Sequence, residues 1–305
     1  YLTINFMNSY FYYFLRFIHN CSANVFFLFI FFHIFKSWFY SSTKSFYVLF
    51  IGLLIFILCC AIAFFGYCLP MGQMSYWACI VIFSLLSVLP FGNLLIIYLF
   101  GSFSISSRTL SLLFLLHFIS PFILLILIIL HLNFLHIALS SFGSFNNFFD
   151  NVTFLPFFFF VDFYIIFLFI FGFFFILFFY PMFLFESENF ISFMSLVTPL
   201  HIYPDWFLLF PYACLRSVDV KWFGVILLIF VLLFIIFIPF CRFLLNVSIT
   251  MNWFHSFSIL FFLLFTYLGA NSPVYPFSLL IIVFQFLFYL FCFIYFFYLL
   301  CFIFF

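Results

Sequence analysis

Charged side chains are scarce in this sequence, which has seven Lys or Arg and six Asp or Glu among 305 residues. Soluble proteins need a hydrated polar surface and carry about 25% charged residues. Here the charged fraction is 4% and the apolar fraction is 71%. This composition excludes a soluble enzyme, a nucleic-acid-binding protein and a disordered chain. We therefore expect an all-α integral membrane protein whose surroundings are the lipid bilayer, with no nucleic-acid partner.

Paired cysteine motifs are also missing. The nine cysteines are scattered, and none has CxxC or CxxCH spacing. Those motifs hold thiolate-bound metals and covalently attached haem, so both kinds of site are disfavoured. A disulfide framework is not indicated either, and the thiols are interpreted as small apolar side chains.

Polar, proline and glycine clusters divide the chain into seven apolar stretches. Crossing the hydrocarbon of a bilayer takes about 20 apolar residues. The predicted transmembrane helices lie near 14–39, 46–69, 108–138, 161–180, 222–242, 254–270 and 277–305. The segment 72–100 is interrupted around residue 90 and is predicted to form short helices along one membrane face. The long polar connection 181–221 is expected to be functional.

Four of the seven histidines form two pairs with equal spacing, His19 with His33 and His117 with His131. A separation of 14 residues is close to four helical turns, so both members of a pair share a face, about 21 Å apart. Because one span separates the two histidine-bearing helices, they run parallel. His19 is then level with His117, and His33 is level with His131. Imidazole is a common axial ligand of haem iron. The pattern predicts two b-type haems, whereas the alternative is four hydrogen-bonded packing residues.

Small and cationic residues accompany the histidines. Gly52 and Gly66, in the helix between the two histidine-bearing helices, are also 14 residues apart. Each is predicted to lie at one haem level, where the missing side chain lets the macrocycle approach the backbone. Arg16 and Lys36 each lie three residues from a histidine and are candidate partners of haem propionates. The alternative for these two cations is a position at the membrane interface.

Several stretches have a recognisable pattern, namely LRFIH at 15–19, GYCLPMGQMSYWA at 66–78, the segment 117–136, TPLHIYPDWF at 198–207 and YACLRS at 212–217. Together they resemble mitochondrial cytochrome b, the di-haem subunit of respiratory complex III (ubiquinol:cytochrome c oxidoreductase). The resemblance extends to about residue 225. Beyond that point only the number and the hydrophobicity of the helices match.

The resemblance implies a role for each matching residue. His19 with His117 would ligate a low-potential haem, and His33 with His131 a high-potential haem. The quinol-oxidation pocket would consist of Tyr67, the Gly72–Ala78 segment with Ala78, Pro204, Asp205, Trp206, Phe207 and Tyr212. The quinone-reduction pocket would consist of His136, Ser140 and Asp162. Residues 1–156 would then be the haem-binding part, and 157–305 the C-terminal helices with the 181–221 connection.

The activity implied by the resemblance is oxidation of ubiquinol at one membrane face and reduction of ubiquinone at the other, coupled to proton translocation. One electron from quinol would pass to a Rieske-type iron–sulfur subunit and the other to the haems. The resemblance also implies a c-type cytochrome subunit, further complex III subunits, a dimeric complex and a multi-pass location in the mitochondrial inner membrane. Asp205 is the expected proton acceptor in quinol oxidation.

The sequence departs from the family pattern in four places. The family motif PEWY is PDWF here, with an acid one methylene shorter and no phenol. Val161 stands where the family usually has Lys, and Ala78 stands where it most often has Gly. The family also has one more helix before its first histidine-bearing helix, which we expect to be absent from the sequence given.

Three other readings compete with this one. A di-haem anchor subunit of another quinone-linked dehydrogenase would need no loop of the PDWF kind. In the chloroplast plastoquinol relative, the helices that bear the histidines and the loop motif lie on separate chains. A transporter with structural histidines would bind no haem.

Overall fold

The computed structural model describes residues 10–39, 45–101, 104–138, 152–180, 185–231, 233 and 252–304. Within these residues the chain is almost entirely helical and forms no β-strand apart from one isolated bridge between Gly72 and Ser192. The predicted all-α fold is confirmed.

Ten α-helices are described, and they are numbered here in chain order. Their bounds are α1 Tyr10–Phe39, α2 Phe46–Cys68, α3 Gln73–Leu86, α4 Gly92–Phe100, α5 Ser107–Ala138, α6 Phe159–Phe179, α7 Leu209–Arg216, α8 Lys221–Val231, α9 Asn252–Ala270 and α10 Phe277–Phe304. Helix α7 is preceded by a single turn, Trp206–Leu208, that begins directly after Asp205.

Five of the described helical segments are long and apolar enough to cross a membrane, so the chain is a multi-pass membrane protein. They are Phe14–Ser37, Phe46–Cys68, Ser107–Ala138, Phe154–Phe179 and Phe277–Phe297. The predicted count of seven is not confirmed. In the other two predicted spans, the described residues include the helices Lys221–Val231 and Asn252–Ala270. Most of 232–251 lies outside the described residues.

The predicted short helices in 72–100 are confirmed as α3 and α4. The chain breaks between them around Pro90, because proline cannot continue a helix. Helix α4 ends at Gly101, whose φ of 78° is the left-handed conformation that glycine adopts without strain. The position of α3 and α4 along a membrane face stays a prediction.

The chain forms two compact units, Tyr1–Phe29 with Ser141–Ser187 and Ile30–Ser140 with Glu188–Phe305. They are not consecutive halves of the chain, and the division into 1–156 and 157–305 stays a prediction about function. In the first unit, Phe17 and Cys21 of α1 pack against Leu177 of α6. Most other side chains of α6 are exposed and apolar, as suits a helix that faces lipid.

The second unit contains two buried clusters. Helices α7, α9 and α10 form one of them around Phe210, Phe265 and Phe288. Helices α2 to α5 form the other around Cys68, Cys79, Phe83, Ile96, Phe100 and Leu113. This unit contains all the residues of the candidate quinol pocket described below.

Candidate haem and quinol sites

The second histidine pair is brought together across two helices of the second unit. The ring of His33 on α1 and the ring of His131 on α5 have centres 6.4 Å apart and planes inclined by 72°. Two imidazoles that bind one metal ion through nitrogen, with bonds of about 2.0–2.1 Å, have ring centres roughly 6 Å apart. The separation therefore suits a pair of axial ligands on one iron.

The ring of His131 lies close to helix α2. Gly52 of α2 faces the same ring, and a Cβ atom built at Gly52 would lie 3.0 Å from Cε1 of His131. The glycine thus makes room for the imidazole itself.

His117 has a matching arrangement one haem level away. Its Nδ1 atom lies 2.8 Å from the carbonyl oxygen of Ile62 on α2. With Nδ1 as the donor, the lone pair is on Nε2, the tautomer that a metal-binding histidine needs. A Cβ atom at Gly66 would lie 2.5 Å from Cε1 of His117 and 3.2 Å from Nε2, so only glycine fits there. These residues fit b-type haem.

Three further residues were predicted at the haems, and all three lie on helix α1. His19 is exposed on the part of α1 that belongs to the first unit, so its pairing with His117 stays a prediction. Arg16 is half-buried in the same part of α1, and Lys36 is exposed in the last turn of that helix. Their contact with propionates stays a prediction.

A cavity of about 290 Å³ in the second unit is lined almost entirely by apolar side chains. The predicted quinol-pocket residues that line it are Tyr67, Ala78, Pro204, Asp205, Phe207 and Tyr212. Of the Gly72–Ala78 segment, only Ala78 lines the cavity. Trp206 is not among the lining residues, and its ring packs 5.8 Å from the ring of Phe31, which is one of them.

Asp205 is the only acidic residue among those that line the cavity. Burial raises the pKa of its carboxyl from 3.8 to about 6. The group is therefore ionised at neutral pH, yet its affinity for a proton is much higher than that of an ordinary carboxylate. Such a carboxylate is suited to accept a proton from a bound hydroxyl.

Tyr212 of α7 contacts both Ile202, before the PDWF motif, and Arg216, at the end of the same helix. Its hydroxyl donates a hydrogen bond to the carbonyl oxygen of Ile202, at 2.5 Å. The guanidinium of Arg216 lies over the tyrosine ring, 5.4 Å from its centre. Burial raises the pKa of Tyr212, and Arg216 partly opposes that shift. Tyr212 thus stays a protonated donor and holds Ile202, three residues before Asp205.

Sequence reasoning missed much of the cavity wall. Phe31 and Phe35 of α1, Cys60 of α2 and Phe262 of α9 contribute side chains that no motif indicated. Only the α2 residues could have been found, since positions 56, 60, 63 and 67 follow the helical period back from Tyr67. It also missed Asn189, whose side chain bonds to Ser75 behind the pocket wall.

The predicted quinone-reduction residues belong to two different units or lie outside the described residues. His136 is exposed near the end of α5 in the second unit, and Asp162 is exposed near the start of α6 in the first unit. Ser140 lies outside the described residues. A pocket formed by these three residues stays a prediction.

Two family models match separate parts of the chain. Residues 2–139 match the family described as "Cytochrome b/b6/petB", and residues 194–296 match "Cytochrome b(C-terminal)/b6/petD". The chain is 41% identical over 227 residues to "Cytochrome b" of Brachionus plicatilis, which covers 73% of this chain and 60% of that relative. The chain thus spans less than two thirds of the relative's length.

The fold is also similar to that of a solved structure. The chain is similar to a chain of "Hyperthermophilic respiratory Complex III", with a TM-score of 0.80 and 27% sequence identity. The match covers 93% of this chain and 78% of the solved one. The likeness therefore includes nearly all of the chain.

Proposed function

The chain belongs to the cytochrome b/b6 family, and we propose that it is the di-haem core subunit of a ubiquinol:cytochrome c oxidoreductase in the mitochondrial inner membrane. One observation carries the proposal. Three residues of the PDWF motif, Pro204, Asp205 and Phe207, meet Tyr67 and Tyr212 around one apolar cavity, in the same compact unit as the His33–His131 pair. A haem anchor without a quinol site would not need such a cavity.

Two b-type haems are proposed, a low-potential haem held by His19 with His117 and a high-potential haem held by His33 with His131. When bound, the haems supply one-electron carriers between the two faces of the membrane. Helix α2 contributes Gly52 and Gly66, which leave space for the imidazoles of α5. The carbonyl of Ile62 orients the ring of His117. Arg16 and Lys36 are proposed to face the propionates.

The cavity is proposed to bind ubiquinol and to hold it in dry surroundings. Its aromatic and aliphatic walls suit a flat ring with an apolar tail, and they exclude water that would compete for the ring hydroxyls. Asp205 accepts a proton from one hydroxyl of the bound quinol. Its raised pKa makes the transfer more favourable than it would be to a carboxylate in water.

Tyr67, Tyr212, Pro204, Trp206 and Phe207 are proposed to orient the ring. Tyr212 keeps its proton and fixes the backbone at Ile202, which limits the movement of the segment that carries Asp205. Trp206 acts from behind the wall through its packing on Phe31. Ala78 forms part of the opposite wall, on α3.

The second quinone site is proposed at the other end of α5. His136, Ser140 and Asp162 would bind ubiquinone there through hydrogen bonds to its carbonyl oxygens. His136 and Asp162 would also supply the protons that the reduced ring takes up.

Partners follow from the reaction. Quinol gives up two electrons, of which one would pass to a Rieske-type iron–sulfur subunit and the other would leave through the haem pair. A c-type cytochrome subunit then receives the electron from the iron–sulfur subunit, and further complex III subunits complete a dimeric assembly. The likeness to a respiratory complex III chain supports such an assembly.

A potentiometric titration of the purified complex tests the proposal. We expect a redox-difference spectrum with two b-type components of different potential, together with quinol-dependent reduction of cytochrome c. A single b-type component would contradict the two-haem proposal. Two components without quinol oxidation would instead support a haem anchor subunit.

A further inference from the structure

The side chain of Asn189 is bonded to the first turn of α3. Its Oδ1 atom accepts a hydrogen bond from the backbone N–H of Ser75 at 3.1 Å, and the Ser75 hydroxyl lies 2.7 Å from the same oxygen. That hydroxyl also lies 2.7 Å from the carbonyl oxygen of Tyr67, in the last turn of α2. Its single proton can be donated to one oxygen at a time. Ser75 is fully buried, so its polar atoms depend on these partners.

The residues after Asn189 also form hydrogen bonds to the first turn of α3. The backbone N–H of Gln73 donates to the carbonyl of Ile191 at 2.9 Å. The side-chain oxygen of Gln73 accepts from Trp77 at 3.1 Å and from the backbone of Met194 at 3.4 Å. The segment 189–194 is therefore attached to α3 by backbone and side-chain bonds.

The approach of the two segments is as close as the chain permits. A Cβ atom built at Gly72 would lie 2.1 Å from the backbone oxygen of Asn189 and 2.4 Å from its Oδ1. Both atoms belong to the same residue, so any larger residue at position 72 would push Asn189 away from Ser75. Glycine at this position is needed for the Asn189–Ser75 contact itself.

The contact lies directly behind the quinol pocket. Tyr67 and Ala78 both line the cavity, and Ser75 lies one turn before Ala78 while touching the carbonyl of Tyr67. We propose that Asn189 is a positioning residue of the quinol pocket, which acts through Ser75 to fix α3 against the end of α2. The separation of Tyr67 and Ala78 across the pocket wall then depends on a residue that does not touch the quinol. This inference rests on the proposed quinol-oxidation function.

Asn189→Leu removes the acceptor at similar size, whereas Asn189→Asp keeps an oxygen that Ser75 can reach. The probe is a short-chain ubiquinone analogue, whose binding to the purified complex is measured by calorimetry alongside the haem spectrum, and only the binding that a quinol-oxidation inhibitor displaces is counted. We expect Asn189→Leu to retain both b-type spectra and to bind the analogue about tenfold more weakly, with a matching rise in KM. Asn189→Asp should bind within about threefold of the wild type. Asn93→Leu, at an exposed asparagine of α4, is the matched control and should change nothing.

A double-mutant cycle identifies the route of the effect. Ser75→Ala removes only the hydroxyl between Asn189 and Tyr67, and it should weaken binding in the same direction. Combined with Asn189→Leu, it should add little, because that variant has already lost the contact of Asn189 with the Ser75 hydroxyl. If Asn189→Leu does not assemble, Ser75→Ala alone decides, and unchanged binding in that variant overturns the proposal. Fully additive effects also overturn it, since Asn189 would then act by another route.

The two proposals fail in different ways. A wild-type complex that binds the analogue but does not oxidise quinol overturns the proposed function, while the effect of Asn189 on binding can still be measured. A wild-type complex that neither binds the analogue nor oxidises quinol overturns both. Wild-type affinity in Asn189→Leu overturns only the positioning role.

Discussion

Nδ1 of His117 lies 2.8 Å from the carbonyl oxygen of Ile62, one turn before the glycine that faces the same imidazole ring. Helix α2 therefore contacts this ring twice, through a backbone acceptor and through a missing side chain. The hydrogen bond sets the tautomer, and the glycine sets how closely the ring can approach. Both contacts would be disturbed by a change at a single position of α2.

Gly66→Ala should lower the haem content of the complex. The added Cβ atom would lie 2.5 Å from His117, and overpacking of this kind costs about 1–3 kcal/mol. Gly52→Ala should have a smaller effect, since its Cβ atom would lie 3.0 Å from His131. Haem per polypeptide, measured by absorbance, compares the two variants.

The control for the glycine variants is Gly172→Ala in α6, where an added Cβ atom has nothing within 4 Å. It should retain the wild-type haem content. Equal haem loss in all three variants would mean that membrane insertion, and not the fit around the histidines, limits haem binding.

His33→Ala and His131→Ala should each remove the same b-type component and leave the other. Their rings form one pair with centres 6.4 Å apart, and a methyl group cannot replace an iron ligand. A potentiometric titration distinguishes the components. Loss of different components in the two variants would show that the histidines are paired in another way, and His136→Ala is the matched variant that should keep both.

Asp205→Asn should slow quinol oxidation by roughly 10²-fold while both haems stay assembled. In the wild type, burial raises the pKa of Asp205 to about 6. The carboxylate that accepts the proton is therefore lost as pH falls through 6, and the rate should fall with it. The amide variant has no such group and should lack this part of the pH profile. If both enzymes have the same rate and profile between pH 5 and 8, water accepts the proton.

Ala78→Gly should increase sensitivity to rigid inhibitors of the methoxyacrylate type that fit closely in the quinol pocket. Ala78 lines the cavity, and its methyl group occupies space that a rigid ligand would need. Overpacking of about 1–3 kcal/mol corresponds to roughly 5- to 150-fold in affinity. Inhibitor titration of both enzymes tests this, with Ala61→Gly in α2, outside the pocket lining, as the matched control. Equal potency in the Ala78→Gly and wild-type enzymes would place the inhibitor away from position 78.

Contacts set by the regular period of a helix could be predicted from the sequence, whereas contacts made by irregular segments could not. The period of α1 and α5 placed His33 level with His131, because residues 14 apart on parallel helices keep their register. The side chain of Asn189 could not be placed in the same way. It reaches Ser75 across 114 residues of sequence, and no periodicity connects an irregular loop to a helix start.

The apolar helices could be recognised from the sequence, because a helix satisfies its own backbone groups in lipid. Five of the predicted spans are present in the described residues as helices long enough to cross a membrane. The short helices of 72–100 could be predicted as well, because Pro90 interrupts the apolar run.

The 14-residue interval between Gly52 and Gly66 on α2 matches the interval between the two histidines of α5. Inserting or deleting one residue in that interval would rotate one glycine by about 100° relative to the other and shift it by about 1.5 Å. One imidazole would then meet a bulky side chain. The sequence between the two glycines can change in composition, even toward extreme phenylalanine content, but its length cannot change. Over evolutionary time, this interval should therefore reject insertions and deletions more strictly than substitutions.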